Sequence, residues 1–235
     1  MTDRIPLVLL PGLGCDERLW AHAAAHLADM ADVQVPGILD GTHVAEMAAS
    51  VLAAAPPSFA LAGLSMGGYV AMEIMRRAPS RVFRLALLDT KADLDPPEVK
   101  AARHEALRDI DAGRFDAHID GRLSALLGPA ALTQPGPVEL VRSMAETVGA
   151  DRYSRQMHAI MSRPDSLASL AEIACPTLVL CGREDVLTPP EAHARMAEAI
   201  PRARLALIEQ CGHLAPIEQP QAVTALLRDW LCYRR

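Results

Sequence analysis

A serine flanked by glycines, with an aspartate and a histidine further along the chain, has the chemical groups for nucleophilic catalysis. Ser65 is the middle residue of "GLSMG", and Asp185 and His213 follow it in that order. A serine hydroxyl becomes a nucleophile when a histidine removes its proton and an acidic side chain orients that histidine. These residues would support acyl transfer through a covalent intermediate if the fold brings them together.

The residues around Ser65 predict the turn that such a nucleophile requires. The segment "SFALA" before it is short and apolar, which indicates a buried strand, and "MGGYVAMEIMRRA" after it has helical spacing and ends before Pro79. A strand that turns into a helix within a few residues holds its middle side chain outward, and Gly63 and Gly67 make room for that turn. A glycine-rich turn with an incidental serine is the alternative interpretation.

The base and the acid should lie in loops after other strands. His213 follows the last predicted strand, whereas the other seven of the eight histidines lie in segments with helical spacing. Asp185 follows the fifth predicted strand and Asp89 ends the fourth. We prefer Asp185 because a Thr-Pro-Pro turn follows it and would hold its loop rigidly, and because it fits the order Ser, Asp, His that this arrangement typically has. Glu184 is a weaker alternative, and either aspartate has the competing role of a helix cap or turn residue.

Two backbone amides are candidates for binding an oxyanion. The amide of Met66 lies at the start of the predicted helix, where N–H groups point outward and the helix dipole favours negative charge. The amide of Leu13 lies in the loop "PGLGCDERLW" after the first strand, where an acyl-transfer enzyme needs a second donor.

These residues need a sheet whose loops meet at one edge. Six apolar segments ("PLVLL", "DVQVP", "SFALA", "RLALLDT", "PTLVLCG" and "ARLALIEQ") alternate with helical patterns, which predicts an all-parallel, six-stranded sheet with helices on both faces. A long interruption with helical spacing separates the fourth and fifth strands. We therefore predict an α/β core of residues 1–91 and 168–235, and a helical cap of residues 92–167.

Composition excludes several other functions. The 235-residue chain has a formal net charge of −6 and no basic stripe, which argues against a nucleic-acid partner. No apolar stretch is long enough to cross a membrane. Its five cysteines have irregular spacings that match no metal site, which predicts reduced thiols and a cytoplasmic protein.

Four segments carry a resemblance to the α/β-hydrolase superfamily that spans essentially the whole chain. They are "LPGLGCDERLW", "LAGLSMGGYVAMEIM", "PTLVLCGREDVLTPP" and "EQCGHLAPIEQP". Within that superfamily, the chain is similar to small capped serine esterases and lactonases, such as pimeloyl-carrier-protein methyl ester esterases and enol-lactonases. The resemblance implies that Ser65 is the nucleophile, Asp185 the acid and His213 the base. It also implies that the Leu13 and Met66 amides form the oxyanion hole, and that no metal or organic cofactor is needed.

The expected activity is hydrolysis of a small to medium, mostly apolar carboxylic ester through an acyl-enzyme, by a monomer or homodimer. We expect Leu64 below the pocket, and Met157, Ile160 and Met161 on one helical stripe above it, to contact the substrate. A lactonase or a carbon–carbon bond hydrolase would use the same triad, and a non-catalytic ligand receptor on the same fold is a further alternative.

Overall fold

A computed structural model describes residues 4–232, in which six strands form one sheet. The strands are β1 (Ile5–Leu10), β2 (Ala31–Gln34), β3 (Phe59–Leu64), β4 (Val82–Leu88), β5 (Thr177–Gly182) and β6 (Ala203–Ile208). Every neighbouring pair in the order β2-β1-β3-β4-β5-β6 is parallel. The predicted six-stranded parallel sheet is therefore confirmed.

Eleven α-helices accompany these strands in the described part of the chain. They are α1 (Ala21–Leu27), α2 (Val44–Ala54), α3 (Met66–Arg77), α4 (Pro97–Asp111), α5 (Phe115–Leu126), α6 (Pro129–Leu132), α7 (Pro135–Val148), α8 (Ala150–Ser162), α9 (Pro190–Ala199), α10 (Ala215–Glu218) and α11 (Pro220–Cys232). None of the described helices combines the length and apolar character that crossing a membrane requires.

Alternation along the strands divides the core between the two faces of the sheet. In β1, Leu7 and Leu9 join one buried cluster, while Val8 and Leu10 join the other, because successive side chains of a strand point to opposite faces. Strands β3 and β5 are buried at all six of their positions. Such continuous apolar strands are typical of a parallel sheet that helices cover on both faces.

Five helices, α4 to α8, lie between β4 and β5. The segments "EVKAARHEALRDI" and "DRYSRQMHAIM" have the helical spacing that predicts α4 and α8, whereas the prolines and glycines of "LGPAALTQPGP" between them indicate a break. Instead, Pro129 and Pro135 are the first residues of α6 and α7. Proline is well accepted there because the first N–H of a helix has no intrahelical partner. The division into a core and a cap of residues 92–167 stays a prediction.

Candidate active site

The turn between β3 and α3 holds Ser65 in a conformation that few side chains adopt. Its φ of 53° and ψ of −112° lie outside the helical and extended regions, and its N–H donates to the Leu88 carbonyl at 3.0 Å. A Cβ on Gly63 would collide with the Gly67 backbone, and one on Gly67 would collide with the Leu10 carbonyl. The glycines thus allow α3 to pack closely against the sheet, and the turn presents the Ser65 hydroxyl at the sheet edge.

Three predicted side chains form one hydrogen-bonded chain at that edge. His213 Nε2 lies 2.9 Å from Ser65 Oγ, and His213 Nδ1 lies 2.8 Å from Asp185 Oδ2. Both Asp185 and His213 are almost completely buried. The structure therefore brings together the three residues that the sequence selected, in hydrogen-bonding order.

Hydrogen bonds from the loop after β5 fix the position of the Asp185 carboxylate, which orients the imidazole. Asp185 Oδ1 accepts from the amides of Leu187 (2.9 Å) and Thr188 (3.0 Å), and Oδ2 accepts from the Thr188 hydroxyl at 2.7 Å. Burial works to raise the pKa of Asp185, but the His213 partner and these donors outweigh burial and hold the pKa below its usual value. Asp185 is therefore ionised at neutral pH. The alternative acid Glu184 is exposed beside it.

Asp89, the other candidate acid, lies under the site but does not contact His213. Its carboxylate accepts from the Gly182 amide at 2.9 Å and from the Ala215 amide at 3.4 Å, so it joins the end of β5 to the loop that carries His213. Burial, followed by the charge of Asp185, raises the pKa of Asp89 well above its usual value. The pKa values of the two buried carboxyl groups thus shift in opposite directions.

Asp89, Cys181 and Asp185 have ligand atoms within 4.8 Å of one another. Burial raises the pKa of the Cys181 thiol far above its usual value and also raises the pKa of Asp89. Both Asp185 oxygens already accept hydrogen bonds. Since a metal ion requires a deprotonated thiol and free carboxylate oxygens, this donor set fits a metal poorly.

The loop after β1 lies directly against Ser65. A Cβ on Gly12 would be 3.6 Å from Ser65 Cβ, and the adjoining Leu13 lines the cavity that Ser65 also lines. The assignment of the Leu13 and Met66 amides as oxyanion donors stays a prediction. The sequence did not indicate what fixes this loop. The buried Gln156 of α8 does so, because its Oε1 accepts from the Gly14 amide at 3.0 Å. Its Nε2 donates to the Leu39 carbonyl, in the loop after β2.

A second residue that the sequence analysis missed is Glu218, which fixes the His213 loop. Its carboxylate accepts from the amides of Gly212 (2.9 Å) and Leu214 (3.0 Å), on either side of His213, and from Gly128 (2.8 Å). Burial raises the pKa of Glu218, and the three N–H donors act in the opposite direction. Although "EQCGHLAPIEQP" contains this glutamate, nothing in the segment indicated which amides it binds.

Glu218→Gln is expected to lower kcat about 10- to 100-fold, because a small displacement of a base from its nucleophile slows the chemistry strongly. The glutamine NH₂ cannot accept from an amide, so at least one buried N–H loses its partner, at a cost of about 1–3 kcal/mol in unfolding free energy. Kinetics with a chromogenic ester and urea unfolding measure both effects. Glu209→Gln, on the surface, is the matched control, and equal kcat values for both variants would contradict this role.

Behind the nucleophile, His193 of α9 is completely buried and neutral. Its Nε2 accepts from the Thr90 amide at 2.9 Å, and its Nδ1 faces the Pro189 carbonyl at 3.2 Å. Burial lowers the pKa of His193 to about 4. The Thr90 hydroxyl in turn donates to the Ser65 carbonyl at 2.8 Å. His193 therefore stabilises the backbone next to the nucleophile through Thr90, and protonation would break that contact.

Stability is expected to fall as the pH drops from about 6.5 to about 4. In that range unfolded His193, with an ordinary pKa near 6.5, binds a proton that the folded chain excludes, so the free energy of unfolding rises with pH. Between pH 7.5 and 4.5 this histidine alone accounts for about 2–3 kcal/mol. Urea unfolding of wild type and His193→Gln at both pH values measures the difference. An identical pH dependence in the two proteins would exclude this contribution.

A cavity of about 460 Å³ opens above Ser65 and His213. Leu64, Met157 and Ile160 line it as expected for substrate contacts, whereas Met161 does not. Met161 instead packs against the cluster among α4, α5, α7 and α8. Met161 is one helical turn beyond Met157 on the same face of α8, so the cavity wall includes the first of these two positions and not the second.

Comparison with known proteins finds similar sequences along nearly the whole chain. The alpha/beta hydrolase family matches residues 7–226. A putative carbamate hydrolase from Pseudomonas savastanoi pv. phaseolicola is 29% identical over 98% of this chain and 95% of its own length. A pimeloyl-[acyl-carrier protein] methyl ester esterase from Aromatoleum aromaticum is 25% identical, over 97% of this chain and 98% of its own.

Solved structures give the same fold. A thermophilic esterase from Thermogutta terrifontis, with malate bound, superposes with a TM-score of 0.88 at 30% identity, over 97% of this chain and 89% of its own. The enol-lactonase from Burkholderia xenovorans superposes with a TM-score of 0.88 at 23% identity, over 98% of this chain and 92% of its own.

Proposed function

We infer that this chain, which belongs to the α/β-hydrolase family, is a serine hydrolase that cleaves a carboxylic ester through an acyl-enzyme. The observation that carries the proposal is the continuous chain from Ser65 Oγ through the His213 imidazole to Asp185, with contacts of 2.9 Å and 2.8 Å, beneath a cavity. A nucleophile, a base and a group that orients the base are what acyl transfer requires.

In the first half of the reaction, Ser65 Oγ attacks the ester carbonyl carbon while His213 Nε2 takes the hydroxyl proton. Asp185 stabilises the resulting imidazolium without accepting its proton. The tetrahedral intermediate collapses with breakage of the bond between the carbonyl carbon and the leaving oxygen, and His213 gives its proton to that oxygen. An alcohol leaves and the acyl group stays on Ser65.

In the second half, His213 takes a proton from water as the water oxygen attacks the acyl carbon. Breakdown of this second intermediate releases the acid and returns the proton to Ser65 Oγ. The Leu13 and Met66 amides stabilise the negative oxygen in both intermediates, and each such donor is worth about two to three orders of magnitude in rate. No other group is needed for this sequence of steps.

Turnover of p-nitrophenyl esters, from acetate to decanoate, tests the proposal. Release of p-nitrophenolate above the Ser65→Ala background supports a serine esterase. The acyl chain with the largest kcat/KM shows which chain length the cavity accommodates best. Absence of turnover on every ester, together with binding of those esters, would overturn the proposal in favour of a receptor. Lactones in a second panel separate a lactonase, which would open them while leaving the open-chain esters intact.

A further inference from the structure

Three cationic side chains line the cavity above Ser65. They are Lys91 in the loop after β4, Arg103 of α4 and Arg122 of α5. The sequence favoured a mostly apolar ester, and the nine basic and twelve acidic residues of segment 92–167 do not by themselves favour an anionic substrate. A cation inside a cavity loses hydration unless another polar group replaces the water, so the partners of these three groups indicate which ligand fits.

Lys91 and Arg103 share a single carboxylate with a third cation. Asp95, itself buried, lies 2.8 Å from Arg103 Nε, 3.0 Å from an Arg163 guanidinium nitrogen and 3.1 Å from Lys91 Nζ. These three cations lower the pKa of Asp95 strongly although burial acts in the opposite direction. One negative charge among three positive ones leaves a positive surplus, and two of the three cations line the cavity.

The other acidic groups nearby do not remove this surplus. Asp93 lies 3.6 Å from Lys91 Nζ, but it also brings one more cation into the network, because an Arg195 guanidinium nitrogen lies 3.2 Å from it. Asp109 lines the cavity but pairs with Arg114 at 2.5 Å. Glu105 also lines the cavity from an exposed position on α4, where solvent screens its charge.

Arg122 supplies a further positive charge. Its side chain is half-buried, and it forms no ion pair within residues 4–232. Both Arg122 and Arg103 line the same cavity as Tyr153. Their charges act to lower the pKa of the Tyr153 hydroxyl, which burial raises. The Tyr153 ring also adjoins the oxyanion loop, since a Cβ on Gly14 would be 2.9 Å from it. Two arginines thus flank a wall of the same cavity that opens onto Ser65.

We propose that the cavity binds an ester whose acyl chain ends in a second carboxylate, and that Arg103 and Arg122 hold this carboxylate while Ser65 attacks the ester carbonyl. The inference rests on the proposed ester hydrolysis. A guanidinium group matches a carboxylate with parallel N–H donors, which makes arginine well suited to this recognition. The products are a dicarboxylate and an alcohol, and one water is consumed.

A matched pair of substrates tests the proposal. Monomethyl adipate and methyl hexanoate have the same ester and the same chain, and differ by a terminal carboxylate in place of a methyl group. Methanol release gives kcat/KM for each. The wild-type value for monomethyl adipate, or for the best chain length in a series from succinate to suberate, is expected to be at least about tenfold above that of its methyl-terminated partner, since a charged hydrogen bond contributes about that much.

Arg122→Gln is expected to lower this ratio about tenfold by raising KM for the monomethyl dicarboxylate. Arg122→Gln removes no ion pair within the described residues. Arg103→Gln is a second test, in which Asp95 keeps its ion pairs with Lys91 and Arg163. Arg108→Gln, exposed on α4 away from the cavity wall, is the matched control that keeps the wild-type ratio. Hydrolysis of both esters with no preference for the carboxylate, or an unchanged ratio in Arg122→Gln, overturns this inference alone. No hydrolysis of either ester, in a protein equally inert toward p-nitrophenyl esters, overturns the proposed function instead.

Discussion

Ser65→Ala is expected to lower kcat/KM for every ester that the chain hydrolyses by about four to six orders of magnitude. Removing the nucleophile of a hydrogen-bonded triad leaves only the stabilisation that oxyanion donors and binding contacts supply. The alanine removes one oxygen and keeps the Cβ in the same turn, so Gly63 and Gly67 still accommodate the backbone. We therefore expect a folded variant whose thermal unfolding midpoint stays near that of wild type.

Steady-state kinetics with the best p-nitrophenyl ester, together with stoichiometric labelling by an organophosphonate, provide the measurement. The phosphonate should label wild type at Ser65 and leave Ser65→Ala unlabelled. Ser50→Ala, at an exposed position of α2, is the matched control and should react like wild type. If Ser65→Ala keeps a tenth of the wild-type activity in a homogeneous preparation, hydrolysis occurs elsewhere and the acyl-enzyme proposal fails.

The fold and the order of the triad were predictable because their signals are local. Each strand is a short apolar run, and parallel topology alone then places the loops after β3, β5 and β6 at one sheet edge. Ser65 and His213 are recognised by their positions just after strands. Asp185 was preferred over Asp89 because a Thr-Pro-Pro turn follows it, and the structure supplies the physical difference, because of the two aspartates Asp185 is the one that hydrogen-bonds His213.

The supporting residues could not be predicted, because their partners are remote in the chain. Gln156 binds an amide 142 positions away, and His193 binds one 103 positions away, while each lies in a segment that looks like an ordinary amphipathic helix. The expectation of a mostly apolar pocket omitted the cationic side chains that line the cavity, for a related reason. A count of charges over residues 92–167 averages the outer surface with the cavity wall, whereas the ligand meets only those side chains that the helices turn inward.

Asp185→Asn is expected to lower kcat by about four orders of magnitude, with the fold preserved. Asparagine is close in size to aspartate, but it carries no charge to stabilise the imidazolium, and its NH₂ can turn His213 Nδ1 into an acceptor and so select the wrong tautomer. Asp89→Asn is the matched comparison, because it makes the same change one strand away. Asp89 accepts hydrogen bonds from backbone amides and makes none to His213, so its variant is expected to lose less than tenfold in kcat and about 1–2 kcal/mol in unfolding free energy.

The comparison also tests whether Asp89 can replace Asp185. In Asp185→Asn, the charge that helps to raise the pKa of Asp89 is gone, but burial, which is the larger cause, remains. The pKa of Asp89 therefore stays raised, and the Gly182 and Ala215 amides rather than His213 bind its carboxyl group, so it provides no substitute for Asp185. We expect the Asp185→Asn, Asp89→Asn double variant to be no slower than Asp185→Asn alone, as measured with the best p-nitrophenyl ester. A further loss of a hundredfold in a double variant that is still folded would show that Asp89 acts as a second acid, and the assignment of a single acid would be wrong.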